Sequence, residues 1–302
     1  MSWRTVYITQ CEKISLYLDS LLIKKDGEEY KIPLADIGTV IIEDYKATLT
    51  IKIINKFIEY NILFITCDDE HNPYGSFVPL NSHFRQYKIV NSQINWDSEL
   101  KGIFWQEIVK QKLKNQNEIL KKLKKDKEVI ALIEGYIEGV ESDDRTNREG
   151  LGAKVYFREM FGENFKRRVS SDITNSALNY GYAILNSKIA RIISGKGLLT
   201  YIGVHHIGEY NQFNLASDLV EVYRPIVDFY VHEKITDGEY FSKEHRAGLV
   251  NLLNSRILVN GKKEITANAM EKTVDLLIEF FETGVYEEKK LPSLKTVELD
   301  EL

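Results

Sequence analysis

Leu21-Leu22-Ile23-Lys24-Lys25-Asp26-Gly27-Glu28-Glu29-Tyr30-Lys31-Ile32-Pro33-Leu34 sets the fold class at the front of this chain. Its apolar ends flank Asp26-Gly27, a pair suited to the tight turn of a β-hairpin. Upstream, Thr5-Val6-Tyr7-Ile8-Thr9 is rich in β-branched and aromatic residues, and Ile14–Leu18 alternates in polarity. Downstream, Thr39-Val40-Ile41-Ile42 and Ile62-Leu63-Phe64-Ile65-Thr66 read as further strands. Between them the period changes: Leu49, Ile53, Phe57 and Ile58 share one helical face over Thr48–Tyr60. Residues 1–78 are thus predicted to form a small β-rich domain with one helix.

Pro73, Gly75 and Pro79 mark its exit, and residues 79–95 read as a linker. Beyond it the pattern is helical. Asp97 and Ser98 are caps for a long amphipathic helix to about Lys124, and further helices fit Asp126–Val140, Asn147–Phe161, Ser171–Ser194, Asn214–Lys234 and Asn268–Thr283. Ser242-Lys243-Glu244-His245 opens another, with its glutamate one place early for a capping box. Asn260-Gly261 predicts a short hairpin over Ile257–Thr266. Residues 287–302 have few core-forming side chains and are predicted to be a flexible acidic tail. The expected fold class is α+β: a small N-terminal β-rich domain followed by a larger all-helical domain, residues 96–286.

Across 302 residues, 43% are hydrophobic and 28% charged, which excludes a disordered chain, a collagen-like repeat and a disulfide scaffold. No apolar run reaches the roughly 18 residues that span a bilayer, and Met1-Ser2-Trp3-Arg4 leads into no signal-peptide core. Cys11 and Cys67 read as reduced thiols, so the expected setting is cytoplasmic, away from membranes. The net charge of −5 hides an uneven distribution: residues 1–100 carry −4, 101–200 carry +6 and 201–302 carry −7. A basic middle third is compatible with phosphate binding, although Lys121, Lys122, Lys124, Lys125 and Lys127 by themselves read as a solvated helix face.

Three places concentrate polar groups that an amphipathic helix does not need. Asn147-Arg148-Glu149-Gly150 opens a helix, where the helix dipole alone would justify the glutamate. Gly203-Val204-His205-His206 follows a buried-looking run, as turn residues or as a source of a metal ligand. Asn211–Pro225 carries Asp218 and Glu221, three apart on one helix face, beside the stripe Leu215, Leu219 and Val222. Two solvated acids are the plain alternative there. Taken together, a carboxylate at a helix start, an imidazole on a loop and a carboxylate on the next helix form an O,N,O set. Such a set suits Mg²⁺ or Mn²⁺ acting on phosphates and lacks the thiolates of a tight zinc site. Arg148, Arg158, Lys166, Arg167, Arg168 and Arg224 lie nearby as phosphate donors. The chemistry indicated is phosphoryl transfer on nucleic acid.

The order Asn-Arg-Glu-Gly (147–150), Leu178-Asn179-Tyr180-Gly181-Tyr182, Gly-x-x-His (203–206), then Asn-Gln-Phe-Asn-Leu-Ala-x-Asp-Leu-x-Glu-x-x-Arg-Pro (211–225) resembles the CRISPR-associated protein one family, the integrase of spacer acquisition. The Asn-Gln-Phe-Asn block is similar to its type II branch, and the resemblance covers nearly the whole chain. It implies that the helical domain is catalytic and that the protein is a divalent-metal DNA endonuclease and integrase. It also implies a homodimer, formed through the β-rich domain, that joins 3′-hydroxyl ends of short incoming spacer DNA into the CRISPR repeat by transesterification. The implied metal ligands are Glu149, His206 and Glu221, with His205 an alternative to His206, and with Asp218 and Arg224 as supporting residues. Implied partners are double-stranded DNA, a dimer of CRISPR-associated protein two, and in type II systems an effector nuclease and a ring-forming DNA-end-binding protein. Val222-Tyr223 departs from the residues relatives often carry before Arg-Pro. The competing readings are a stand-alone metal nuclease on branched or single-stranded nucleic acid, and a non-catalytic DNA-binding scaffold.

Overall fold

The computed structural model describes residues 4–77, 83–167, 172–235, 240–287 and 290–299, so Arg168 lies outside the described residues. The chain divides into two compact units, residues 1–84 and 85–302.

In the first unit, β1 (Arg4–Ile8), β5 (Ile37–Ile42), β6 (Leu63–Cys67) and β7 (Pro73–Ser76) form one sheet in that order. β1, β5 and β6 run parallel and β7 returns antiparallel. β2 (Lys13–Tyr17), β3 (Ser20–Lys25) and β4 (Glu28–Pro33) make an antiparallel meander. Its second turn has φ of 53° at Asp26 and 79° at Gly27, as the Asp-Gly pair predicts. All six residues of β5 are buried, as a central parallel strand requires. Helix α1 (Ile51–Glu59) crosses between β5 and β6 and buries Ile53 and Phe57 against Leu21, Leu34, Val40 and Phe64.

The second unit holds α2 (Gln86–Ile94), α3 (Ser98–Lys122), α4 (Lys127–Glu138), α5 (Arg148–Phe161), α6 (Ile173–Gly195), α7 (Asn214–Val220), α8 (Arg224–Lys234), α9 (Lys243–Asn251), the hairpin β8 (Arg256–Val259) and β9 (Lys262–Ile265), and α10 (Thr266–Thr283). Asp97 starts α3 by accepting from the N–H groups of Glu99 and Leu100, and Asp126 and Asp172 cap α4 and α6 in the same way. α9 begins with a capping box in which His245 Nδ1, not a glutamate, accepts the Ser242 N–H at 3.2 Å. The architecture is α+β, β-rich in front and helical behind. Among the described residues no helix is long and apolar enough to cross a membrane.

Three segments differ from the sequence reading. The stretch expected as a linker contains α2, which is anchored by Gln93: its amide donates to Leu199 O and Ile202 O and accepts from Leu199 N. The segment expected to be a flexible tail is packed, with Leu291, Leu294 and Val297 buried and Ser293 bridged to Leu258. Helix 214–234 is broken at Glu221-Val222-Tyr223, because Pro225 has no N–H to return to the Glu221 carbonyl. The break is held from outside. Buried Asn115 donates to Val222 O at 2.7 Å and Pro292 O at 3.0 Å, and it accepts from Leu294 N and Gln111 Nε2. Every hydrogen-bonding position of that amide is used.

Gly181 lets α6 and α8 approach closely: a Cβ there would lie 2.5 Å from Val227 Cγ1. Gly135 on α4 faces open space. Gly181→Val should therefore destabilise by about 1–3 kcal/mol through overpacking. Gly135→Ala should stabilise by about 0.4–1 kcal/mol, because it restricts the unfolded chain. Denaturant midpoints moving in opposite directions would bear out both assignments, and matched shifts would refute the close approach.

Candidate active site

Glu149 is fixed by the turn that precedes it. Asp143, Asp144 and Asn147 all have positive φ there. Buried Asp144 accepts Arg148 N at 2.8 Å and Glu149 N at 3.0 Å, and Asn147 Oδ1 accepts Gly150 N at 3.2 Å. These side chains take up N–H groups that a helix start leaves without partners. Glu149 therefore leaves α5 from a rigid first turn.

Glu221 sits at the break between α7 and α8, with its side chain only 4% exposed. Lys112 of α3 is equally buried, and its ammonium contacts both Glu149 Oε1 and, at 2.5 Å, Glu221 Oε2. Arg224 Nη1 meets Glu221 Oε1 at 2.9 Å. Burial alone would raise the Glu221 carboxyl pKa, but the charges of Arg224 and Lys112 outweigh it and hold the group below its ordinary value. Burial likewise opposes charge on Lys112, and Glu221 and Glu149 overcome it, leaving the ammonium above its ordinary value.

The histidine loop is built on Asp218, which is fully buried. Its carboxylate accepts Val204 N at 2.6 Å, His205 N at 3.2 Å and His206 N at 3.0 Å. Gly203 makes this wrap feasible: a Cβ there would fall 2.4 Å from His206 O and 2.8 Å from Asp218 Oδ2. His206 Nδ1 pairs with Asp218 Oδ1 at 2.7 Å, which raises the imidazole pKa and leaves Nε2 as the outward nitrogen. His205 turns elsewhere, with Nδ1 3.0 Å from Asp143 and its ring stacked on Trp105 at 4.3 Å. Asn214 spends its amide on Tyr201 O and Gly208 O, both at 3.0 Å, and closes the same loop.

A cavity of about 560 Å³ opens beside Glu149, lined among others by Lys112, Gln116, Arg167, Tyr182, Arg224 and Asp228. Tyr182 is its hub. The guanidinium groups of Arg167 and Arg224 lie over its ring, 5.3 and 5.0 Å from the centroid, and its hydroxyl donates to Asp228. Burial and the Asp228 charge push the Tyr182 hydroxyl well above the ordinary phenol range, so it stays a donor. Burial raises the Asp228 carboxyl to about 7.

The sequence-predicted residues thus fall into groups. Glu149 and Glu221 converge on Lys112, Arg224 joins them through Glu221, Arg167 reaches the cavity, and Asp218 carries His206. Arg158 and Lys166 are exposed and line none of it, and Arg148 lies 5.8 Å over the ring of Tyr136. Lys112, Gln116, Tyr182 and Asp228 were missed as site residues. A signal existed in α3, where the buried stripe Phe104, Ile108, Lys112, Asn115, Ile119 interrupts apolar spacing with a lysine.

Among the described residues no three acidic, histidine or cysteine side chains close into a metal-binding group. The donor set nevertheless fits a divalent cation in charge and kind: two carboxylates from separate helices already share one positive group.

Asp228 gives the pH prediction. Its pKa is higher folded than unfolded, so the native state binds the extra proton and the contribution of this group to stability falls as pH rises from about 4 to about 7. Asp228→Asn should flatten that slope in urea melts across the interval; an unchanged slope would refute the assignment.

Residues 6–260 match the family described as CRISPR associated protein Cas1. A CRISPR-associated endonuclease Cas1 from Neisseria meningitidis serogroup C is 33% identical over 305 residues, covering 99% of this chain and 97% of that protein. A casposase bound to integration product has the same fold, with a TM-score of 0.73, 20% identity and coverage of 99% and 96%. A chain of a partial Cas6-RT-Cas1–Cas2 complex is similar at a TM-score of 0.63, 18% identity and coverage of 95% and 98%. With a family match across most of its length and a relative this similar from end to end, the chain belongs to the CRISPR associated protein Cas1 family.

Proposed function

We propose that this protein is a cytoplasmic DNA endonuclease and integrase of CRISPR adaptation, of the type II branch, joining 3′-hydroxyl ends of short duplexes into the CRISPR repeat. The observation that carries the reading is the convergence of Glu149 and Glu221 on one cation beside an arginine-lined cavity. The names of the relatives support it: endonuclease for the Neisseria protein, integration product for the casposase, and Cas2 as companion in the complex. The protein works as a homodimer with a dimer of CRISPR-associated protein two.

Glu149, His206 and Glu221 hold Mg²⁺ or Mn²⁺, which when bound offsets charge at the scissile phosphate. The chain's own residues do the rest. Asp218 fixes the His206 tautomer so that Nε2 faces the ligand side. Arg224 and Arg167, both packed over the ring of Tyr182, present guanidinium donors to phosphate oxygens in the cavity. The nucleophile is the DNA's 3′-hydroxyl, so no side chain needs to form a covalent intermediate.

The test is strand transfer of a labelled duplex with free 3′-hydroxyls into a repeat-bearing plasmid, with the small partner protein and Mn²⁺. Wild type and His205→Ala should join label to plasmid, whereas Glu149→Ala, His206→Ala and Glu221→Ala should fall to background. Asp218→Asn should lose about 10–100-fold. Cleavage without joining would move the reading to a stand-alone nuclease, and full activity in Glu221→Ala would overturn the ligand assignment.

A further inference from the structure

A lysine 95% buried between two glutamates is not an ordinary surface pair. The two carboxylates that hold Lys112 are the two that the proposed function gives to the metal, so one place is asked to hold two cations. Lys112 also lines the cavity beside Glu149. Gln116, one helical turn further along α3 and 1% exposed, lines the same cavity, and its buried Oε1 has no hydrogen-bond partner. Asp228 lines the same wall and is bonded to Tyr182, with no cation in salt-bridge contact among the described residues. A lysine stem of four carbons turns between such positions by rotamer changes alone.

We propose that Lys112 is a substrate-phosphate ligand held in reserve: it neutralises Glu149 and Glu221 while the site is free of metal, and when a divalent ion takes its place it swings into the cavity toward Gln116 Oε1 and Asp228, where it binds DNA phosphate. The inference rests on the metal-dependent reading above. Its physical basis is that an ammonium and a divalent ion cannot share two carboxylates at contact distance without strong repulsion, while removing Lys112 with nothing in its place would leave Glu149, among the described residues, without a cation and Glu221 with Arg224 alone. Lys112 satisfies both limits by moving. The exchange also links loading to binding, because the phosphate-facing cation is released only by a metal that has arrived.

Three measurements test it without reading turnover. In wild-type protein, amine acylation followed by peptide mass spectrometry should find Lys112 protected in chelator and at least tenfold more reactive in saturating Mn²⁺. Mn²⁺ titration by electron paramagnetic resonance should show Lys112→Met binding the ion about tenfold or more tightly than wild type, with a melting temperature that is lower in chelator and recovers in Mn²⁺. With a 3′-dideoxy duplex, Lys112→Met should reduce the slope of log affinity against log salt by about one in Mn²⁺ and leave it unchanged in chelator. Should Lys112→Met fail to fold, the acylation result in wild type decides alone. Equal Lys112 reactivity with and without Mn²⁺, in protein whose Mn²⁺ binding is abolished by Glu149→Gln, would overturn the exchange. Absence of Mn²⁺ binding by wild type would instead overturn the metal-dependent reading on which it rests.

Discussion

Two carboxylates brought together, one buried and one at a cavity edge, are unstable unless a cation is among them, and much of the helical unit is arranged around that requirement. Removing one partner of such a buried ion group typically costs about 3–5 kcal/mol, because the remaining charge is stranded. Glu149 and Glu221 come from different helices, and neither position makes sense for packing alone. Lys112 and Arg224 bring the local charge to balance, and the elements that carry all four must keep their places for it to persist. Asp144 and Asn147 hold the first turn of α5, Asn115 holds the break that presents Glu221, and Asp218 holds the histidine loop. Each of these supports is a buried or capping polar side chain with its partners satisfied, which is the condition under which buried polarity is tolerated.

Local chemistry made much of the fold legible. Asp26-Gly27 and Asn260-Gly261 both take the positive φ angles that those pairs favour, and Asp97 caps the helix it was expected to start. The break at Glu221 has a local cause in Pro225, but the other two differences share a distant one. Gln86–Ile94 and the tail are decided by contacts at long sequence separation: Gln93 with Leu199 and Leu294 with Asn115. No window of neighbouring residues carries that information. His245 in the capping box is a different case, since a residue type outside the usual pair supplies the acceptor.

The site was legible as a set of motifs and illegible as a shape. Gly203-x-x-His206 gains a reason that spacing alone does not provide, because the loop folds so tightly on Asp218 that only glycine fits. Leu178-Asn179-Tyr180-Gly181-Tyr182 likewise divides its labour: Gly181 sets the distance between α6 and α8, Tyr180 is buried, and Tyr182 spreads two arginines along the cavity wall. Lys112 escaped attention because a lysine on a long amphipathic helix is ordinarily a surface residue, and its place on the apolar stripe acquires meaning only once Glu149 and Glu221 are known to face it.

The packed C-terminal segment has a mechanical consequence. Pro292 O and Leu294 N are both bound by Asn115, and the same side chain grips Val222 O, one residue from Glu221. Ser293 is meanwhile laced to Leu258 on the hairpin. Residues 292–294 are thus joined to the backbone between α7 and α8 through a single amide. Replacing Asn115 would therefore loosen two places at once, the packing of residues 292–294 and the backbone that presents Glu221.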